Sequence, residues 1–145
     1  MSNKKNGFTL IDLMVVIAII SLLSTIILAS VRMATSKGRD ATRRANLSSV
    51  RLSLELYFND NSGFPLANNE TTQWSDSIVT TAIAPFMPNG VPSDPKSSDY
   101  NPLYRTNSTG SVYSIRMQYE NAPTCKTGGT GVDITWFANA PLCES

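Results

Sequence analysis

The sequence contains no histidine and only two cysteines among its 145 residues. Histidine is the most frequent general base and metal ligand in proteins, so its absence leaves little support for an enzyme. No nucleophile motif appears, and the glycine-rich stretch 128–131 does not open a helix as phosphate-binding loops do. Two cysteines without histidine supply only half of a structural zinc site. We therefore predict a non-enzymatic protein that needs no cofactor and no metal ion.

Proline is absent before Pro65, and charge is scarce near the N-terminus. The apolar run from Phe8 to Val31 holds a single charged side chain, Asp12. About 20 apolar residues cross the hydrocarbon core of a membrane as a helix, and a helix satisfies its own backbone hydrogen bonds there. The sequence thus predicts one long helix from Phe8 to about Asn61, whose residues 8–31 form a transmembrane segment.

The residues around Gly7 follow a characteristic order. A short basic leader, residues 1–7, ends in Gly7, and Phe8-Thr9-Leu10-Ile11-Asp12 opens the apolar run. A secretory signal would have a shorter apolar core followed by small residues, whereas Arg32 follows this run directly. The order resembles that of type IV pilins and pseudopilins. The resemblance implies cleavage after Gly7, N-methylation of Phe8, and an assembly role for Asp12, at a position where the family usually has glutamate.

The same resemblance implies a structural subunit of an extracytoplasmic filament, in which the transmembrane segment 8–31 also serves as the polymerisation segment. Its partners would be other copies of the chain and related pilins, the prepilin peptidase that also methylates, an inner-membrane assembly platform with its ATPase, and membrane lipid before assembly. The leader would face the cytoplasm, and the head would lie outside the membrane and later in an extracellular or periplasmic filament. The alternatives are a major pseudopilin of a type II secretion system and a single-span anchored binding protein that does not polymerise.

A charge inside a membrane segment is expensive and normally has a partner. No basic residue follows Asp12 within two helical turns. We expect its carboxylate to pair with the free amine of processed Phe8 from a neighbouring subunit. The alternative is a carboxylate that contacts lipid headgroups and water at the membrane surface.

Residues 32–145 are predicted to form the head, beginning with the amphipathic half of the helix up to about residue 61. An apolar stripe at helical spacing marks the buried face, and the opposite face is polar (stripe Leu47, Val50, Leu54, Tyr57 and Phe58, widened by Leu52 and Leu56; opposite face Ser48, Arg51, Glu55 and Asn59). Gly63 as the C-cap, with Pro65 two residues later, predicts the end of the helix.

The rest of the head has weaker patterns. Residues 66–73 are predicted to be loop, and a short helix capped by Ser75 is predicted within Trp74–Phe86. Alternation predicts strands at Leu103–Arg105, Val112–Tyr119 and Val132–Phe137, with Cys125 in the loop before the last one. The predicted fold class is therefore α+β, a long helix packed on a small antiparallel sheet, as in pilins.

Three further features bear on function. Cys125 and Cys143 are predicted to form a disulfide, which would place the head in an oxidising compartment; the alternative is two unpaired thiols. Residues 32–51 carry a net charge of +5, which would suit DNA, anionic lipid or an acidic head, or simply remain solvated. Nucleic acid lacks support because no aromatic residues alternate with these arginines. A calcium ion held by Asp94, Asp99 and Asp133 has little support, because the spacing of these residues matches no calcium-binding loop that we can identify.

Overall fold

The computed structural model describes residues 9–67, 70–96, 100–128 and 135–143. The chain divides into two compact units, the N-terminal unit Met1–Ser36 and the C-terminal unit Lys37–Ser145. The elements, in chain order, are helix α1 (Leu10–Asn61), strand β1 (Thr72–Gln73), helix α2 (Ser77–Ile83) followed by a 3₁₀ turn (Ala84–Phe86), and strands β2 (Leu103–Thr106), β3 (Tyr113–Met117) and β4 (Cys125–Thr127).

The four strands form one antiparallel sheet in the order β1-β2-β3-β4. Tyr104 pairs with Ile115, and Met117 pairs with Cys125. Because successive side chains of a strand point to opposite faces, these residues lie on one face. They join the hydrophobic core together with helix residues such as Val50. The predicted α+β arrangement, with the long helix packed on a small antiparallel sheet, is therefore confirmed.

The buried stripe of α1 in the C-terminal unit follows the predicted spacing. Leu47, Val50 and Leu54 are buried, and the core is completed by aromatic and aliphatic side chains from the sheet, from α2 and from the segment after α1 (Tyr104, Tyr113, Ile115, Met117, Val79, Ile83, Phe64 and Trp74). The prediction that Leu52 and Leu56 widen this stripe is wrong, since they are 63% and 42% exposed. Helix α1 therefore packs through a narrow face.

The end of α1 differs in detail from the prediction. Ser62, and not Gly63, adopts the left-handed conformation, with φ of 58°. Its N–H donates to the carbonyl oxygen of Phe58 at 2.7 Å, which satisfies one of the free carbonyls of the last turn. Gly110, with φ of 67°, then approaches the chain closely, because its carbonyl oxygen accepts the N–H of Phe64 at 2.7 Å. This contact joins the β2–β3 turn to the segment after α1.

Three local predictions for the head are corrected. Strand β1 lies inside the predicted loop 66–73, and α2 begins after Asp76 instead of Ser75. The prediction of a last strand at Val132–Phe137 is wrong for residues 135–137, which form a turn; residues 132–134 lie outside the described part. Phe137 has φ of 52°, which an extended strand does not allow. The last described strand is β4, and Cys125 is its first residue.

Candidate assembly site

Helix α1 begins with a capping box made by Thr9 and Asp12. The Thr9 hydroxyl and backbone N–H donate to Oδ2 of Asp12 at 2.6 and 3.1 Å, and the Asp12 N–H donates to the Thr9 hydroxyl oxygen at 3.3 Å. Such a reciprocal pair satisfies two free N–H groups of a helix start, and a carboxylate there also suits the helix dipole. Thr9 is not among the site residues predicted from the sequence, although Thr-x-x-acid ahead of an apolar run is the signal of this motif.

The capping box gives Asp12 polar neighbours but no opposite charge. The Thr9 groups donate hydrogen bonds but carry no positive charge that could neutralise a carboxylate. Gly7 and Phe8 lie outside the described residues, so the expected pairing of Asp12 with the amine of Phe8 stays a prediction. The shorter aspartate side chain reaches Thr9, which holds the carboxylate at the start of the helix.

After Asp12 the helix exposes its apolar side chains. The large apolar residues from Leu10 to Met33 whose side chains are described are between 45% and 76% exposed. Within the described residues, α1 is the one helix long and apolar enough to cross a membrane, with a mean hydropathy of 2.7 over its most apolar stretch, none of which is buried. The hydroxyls of Ser21 and Ser24 donate to the carbonyls of Ile17 and Ile20 at 2.7 Å. Their polarity is thus satisfied within the helix, as an apolar environment requires.

The N-terminal part of the chain matches a known protein-family motif. Residues 2–28 match the prokaryotic N-terminal methylation motif. The chain carries a prepilin methylation motif. This motif is the hallmark of type IV pilin-like and pseudopilin precursors, and it spans the Gly7-Phe8 junction, Asp12 and most of the apolar run. Neither the curated proteins nor the solved structures contain a significant match to the chain.

A cluster of charged side chains lies in the C-terminal unit of this prepilin-like chain. Arg43, only 1% exposed, donates from Nε and Nη2 to the two carboxylate oxygens of Asp94 at 2.6 and 2.9 Å. Its Nη1 donates to Asp40 at 2.7 Å and to Glu120 at 3.0 Å. Arg39 adds a second two-bond contact with Glu120, at 2.7 and 2.6 Å. We call these five residues the ion cluster; it joins α1 to the turn near Asp94 and to the segment after β3.

The ion cluster favours the ionised forms of two of its carboxylates, those of Glu120 and Asp40. Hydrogen bonds from Arg39, followed by those from Arg43, lower the pKa of Glu120 to about 2. Burial of Asp40 acts to raise its pKa, but hydrogen bonds from the backbone N–H groups of Glu120 and Asn121 and from the Asn121 side chain outweigh burial and lower it. The hydrogen bonds to Asp94 raise the pKa of the Arg43 guanidinium, which therefore stays charged.

The ion cluster changes two interpretations of the sequence. Arg39 and Arg43 belong to the basic stretch 32–51, but both form ion pairs with carboxylates of the same chain. The exposed basic residues of this stretch, which an outside partner could contact, are Arg32, Lys37, Arg44 and Arg51. Both carboxylate oxygens of Asp94 contact Arg43, while Asp99 and Asp133 lie outside the described residues. Among the described residues no group of three acidic or cysteine side chains could hold a metal ion.

The two cysteines form a disulfide near the end of the chain. Cys125 and Cys143 are joined with their Cα atoms 4.8 Å apart, across a sequence separation of 18 residues. The Cys143 N–H donates to the carbonyl of Lys126 at 2.9 Å, and the Lys126 N–H donates to the carbonyl of Pro141 at 2.8 Å. The disulfide and these hydrogen bonds hold the segment near Leu142 alongside β4, where Lys126 and Leu142 form a parallel bridge.

Proposed function

We propose that the chain is the precursor of a structural subunit of a type IV pilus-like filament. Residues 1–7 are the leader that a prepilin peptidase removes, residues 8–31 span the membrane and then polymerise, and residues 32–145 form the extracytoplasmic head. The observation that carries this proposal is the methylation motif joined to a helix whose apolar side chains are exposed. Such a surface needs lipid or other protein around it, and a filament core of identical helices supplies the latter.

We propose that Asp12 directs assembly through its charge. The capping box holds the carboxylate at the helix start, close in sequence to the new N-terminus at Phe8. The methylated amine of Phe8 from a neighbouring subunit would supply the opposite charge. Bringing the two charges together in an apolar core favours a defined axial position of one helix against the next.

The disulfide supports an oxidising location for the head, such as the periplasm or the cell surface. The partners are then other copies of this chain and related pilins, the peptidase and methylase, and the assembly platform with its ATPase. The role is structural and requires no catalysis by the chain itself.

Intact mass of the protein isolated from its native membrane tests the processing route. We expect a chain that begins at Phe8, carries one added methyl group, and gains the mass of two hydrogen atoms on reduction of Cys125 and Cys143. A chain that still begins at Met1 contradicts the precursor assignment and leaves an anchored protein that does not polymerise.

Variants of Asp12 test the assembly role separately from insertion. Asp12→Asn keeps an oxygen that accepts the Thr9 hydrogen bonds but removes the charge, whereas Asp12→Glu keeps the charge. We expect both variants in the membrane fraction at the normal level, but only Asp12→Glu in filaments sheared from the cells. Normal filament yield for Asp12→Asn would show that the charge is not needed for assembly.

A second candidate within the same class is the major pseudopilin of a type II secretion system. The Pro92-Ser93-Asp94-Pro95 turn favours it, because it resembles the turn of major pseudopilins and is held here by the two-bond contact of Asp94 with Arg43. Deletion of the gene distinguishes the two. Loss of secreted proteins with unchanged surface filaments indicates the pseudopilin, and loss of surface filaments indicates the pilin.

A further inference from the structure

The face of the sheet turned away from α1, here called the outer face, carries basic residues on three neighbouring strands. Arg105 lies on β2, Arg116 on β3 and Lys126 on β4. Arg116 stands directly opposite Lys126, and Arg105 stands opposite Ser114, two residues before Arg116. Facing residues of a sheet interact directly, and diagonal neighbours stay within reach of long side chains. Arg105 and Arg116 are such diagonal neighbours and carry like charges that repel, so a negatively charged group beside these two arginines is favoured.

Two aromatic side chains cover the outer face. The guanidinium carbon of Arg105 lies 5.0 Å from the centre of the Trp136 ring, and that of Arg116 lies 5.3 Å from the centre of the Phe137 ring. Lys126 donates from Nζ to the carbonyl oxygen of Trp136 at 3.2 Å. These contacts hold both guanidinium groups beside the turn at residues 135–139. The arginines are therefore in place before any ligand arrives.

Polar atoms on the outer face lack hydrogen bonds. Among the described residues, three buried side-chain nitrogen or oxygen atoms have no partner: Nε of Arg105, Oγ of Ser114 and Nε of Arg116. All three belong to this one face, and Ser114 is fully buried. Neither arginine forms a salt bridge with a described carboxylate. Folded proteins normally pair such buried groups, so their concentration at one place points to a ligand that accepts hydrogen bonds.

A cavity of about 300 Å³ adjoins the same face. It is lined by Arg116, by three neutral polar side chains and by apolar groups of the turn (Gln118, Thr124 and Asn139; Phe137, Ala138 and Ala140). The described lining contains no acidic side chain. A charged donor, amides and a hydroxyl within an otherwise apolar wall form the usual composition of a small-ligand pocket.

We propose that the outer face binds a small oxyanion, a phosphate or carboxylate group, between Arg105 and Arg116 with the rest of the molecule in the cavity. A guanidinium presents pairs of N–H groups whose spacing matches two oxygens of such a group. The negative charge offsets the repulsion between the two arginines, and the Ser114 hydroxyl can donate to it from the sheet. This proposal does not depend on whether the chain assembles into a filament.

Titration of the full chain in neutral detergent micelles tests the proposal by NMR. Sodium phosphate or sodium acetate is added at constant ionic strength, with sodium chloride as the balancing salt. We expect the side-chain Nε–H signals of Arg105 and Arg116 to shift and saturate, while that of exposed Arg51 does not. The anion that saturates the shift at the lower concentration identifies the chemical class of the ligand.

Matched substitutions locate the site. We expect Arg116→Gln to weaken binding roughly tenfold or more, since it removes charge-assisted hydrogen bonds, and Arg51→Gln to leave it unchanged. Absence of a saturable shift with both anions, or an equal shift at Arg51, overturns the proposal. Anion binding that appears only in Asp133→Asn also overturns it, because the chain would then supply its own carboxylate. If Arg116→Gln fails to fold, the titration of the unsubstituted protein decides.

Discussion

Replacement of Arg43 by methionine tests how much the ion cluster contributes to the stability of the C-terminal unit. The side chain of Arg43 is 1% exposed, and those of Asp94 and Asp40 are 2% and 4% exposed. Methionine matches the aliphatic part of arginine but removes the charge and four hydrogen bonds to carboxylates. The remaining carboxylates would be buried next to each other without their main cation.

The expected loss is large compared with that of a surface charge. Removing one partner of a buried ion pair typically lowers the free energy of unfolding by about 3–5 kcal/mol, because the remaining charge stays desolvated. Arg44 provides a matched control on the same helix. It is exposed, and its guanidinium carbon lies 5.2 Å from the centre of the Tyr119 ring, a contact worth about 0.5–1 kcal/mol at a surface. We therefore expect Arg43→Met to cost at least about 2 kcal/mol more than Arg44→Met.

Denaturant unfolding of the full chain in micelles, followed by tryptophan fluorescence, measures this difference. Trp74 and Trp136 are both buried in the C-terminal unit, so their fluorescence reports its unfolding. The double variant Arg43→Met with Asp94→Asn should lose less than the sum of the two single variants, since it removes one of the uncompensated charges. Equal losses for Arg43→Met and Arg44→Met would refute the argument that the ion cluster holds this unit together.

Three further predictions concern the same C-terminal unit. Acid should destabilise the C-terminal unit between pH 4.5 and about 2, because folding lowers the pKa of Glu120 from 4.5 to about 2. The stabilisation that ionised Glu120 provides is complete above pH 4.5 and is lost as the pH falls through about 2. Circular dichroism as a function of pH measures this loss. Reduction of the Cys125–Cys143 disulfide should lower the free energy of unfolding by about 3 kcal/mol, measured with and without reductant. Gly38→Ala should stabilise the unit by about 1 kcal/mol, because Gly38 lies inside a helix and an added Cβ meets nothing within 4 Å. Gly110→Ala should destabilise the unit by about 2 kcal/mol, because φ is 67° and the added Cβ would lie 2.9 Å from the carbonyl oxygen of Phe64. Denaturant titration of both variants measures the two effects.

Each of these predictions has a result that contradicts it. An unfolding midpoint that stays constant from pH 5 to pH 2 would mean that Glu120 is not stabilised by Arg39 and Arg43. An unchanged midpoint after verified reduction would mean that the hydrogen bonds near β4 suffice without the disulfide. Similar effects of the two glycine substitutions would contradict the different surroundings of Gly38 and Gly110.

Local periodicity and short motifs in the sequence are enough to predict the long helix, its apolar surfaces and the motif at its start. The apolar run up to Val31 and the stripe Leu47, Val50 and Leu54 depend on spacings of a few residues, which a helix turns into a defined surface. The methylation motif is a local order of residues and needs no tertiary structure to be recognised. The same holds for the capping box, since Thr9 and Asp12 stand three residues apart in the sequence, which is the spacing of this motif.

Tertiary structure alone decided which charges meet and where strands β1 and β4 form, whereas alternation in the sequence had already predicted β2 and β3. Arg43 contacts Asp94 across 51 residues and Glu120 across 77, and no local pattern carries such pairings. Strand β1 has only two residues, so its formation depends on pairing with β2 and not on its own composition. Trp136 belongs to a turn although its neighbours alternate like a strand, and its ring lies over Arg105 on the outer face of the sheet. The sequence alone thus established the helix and its processing motif, and long-range packing established the surfaces of the head.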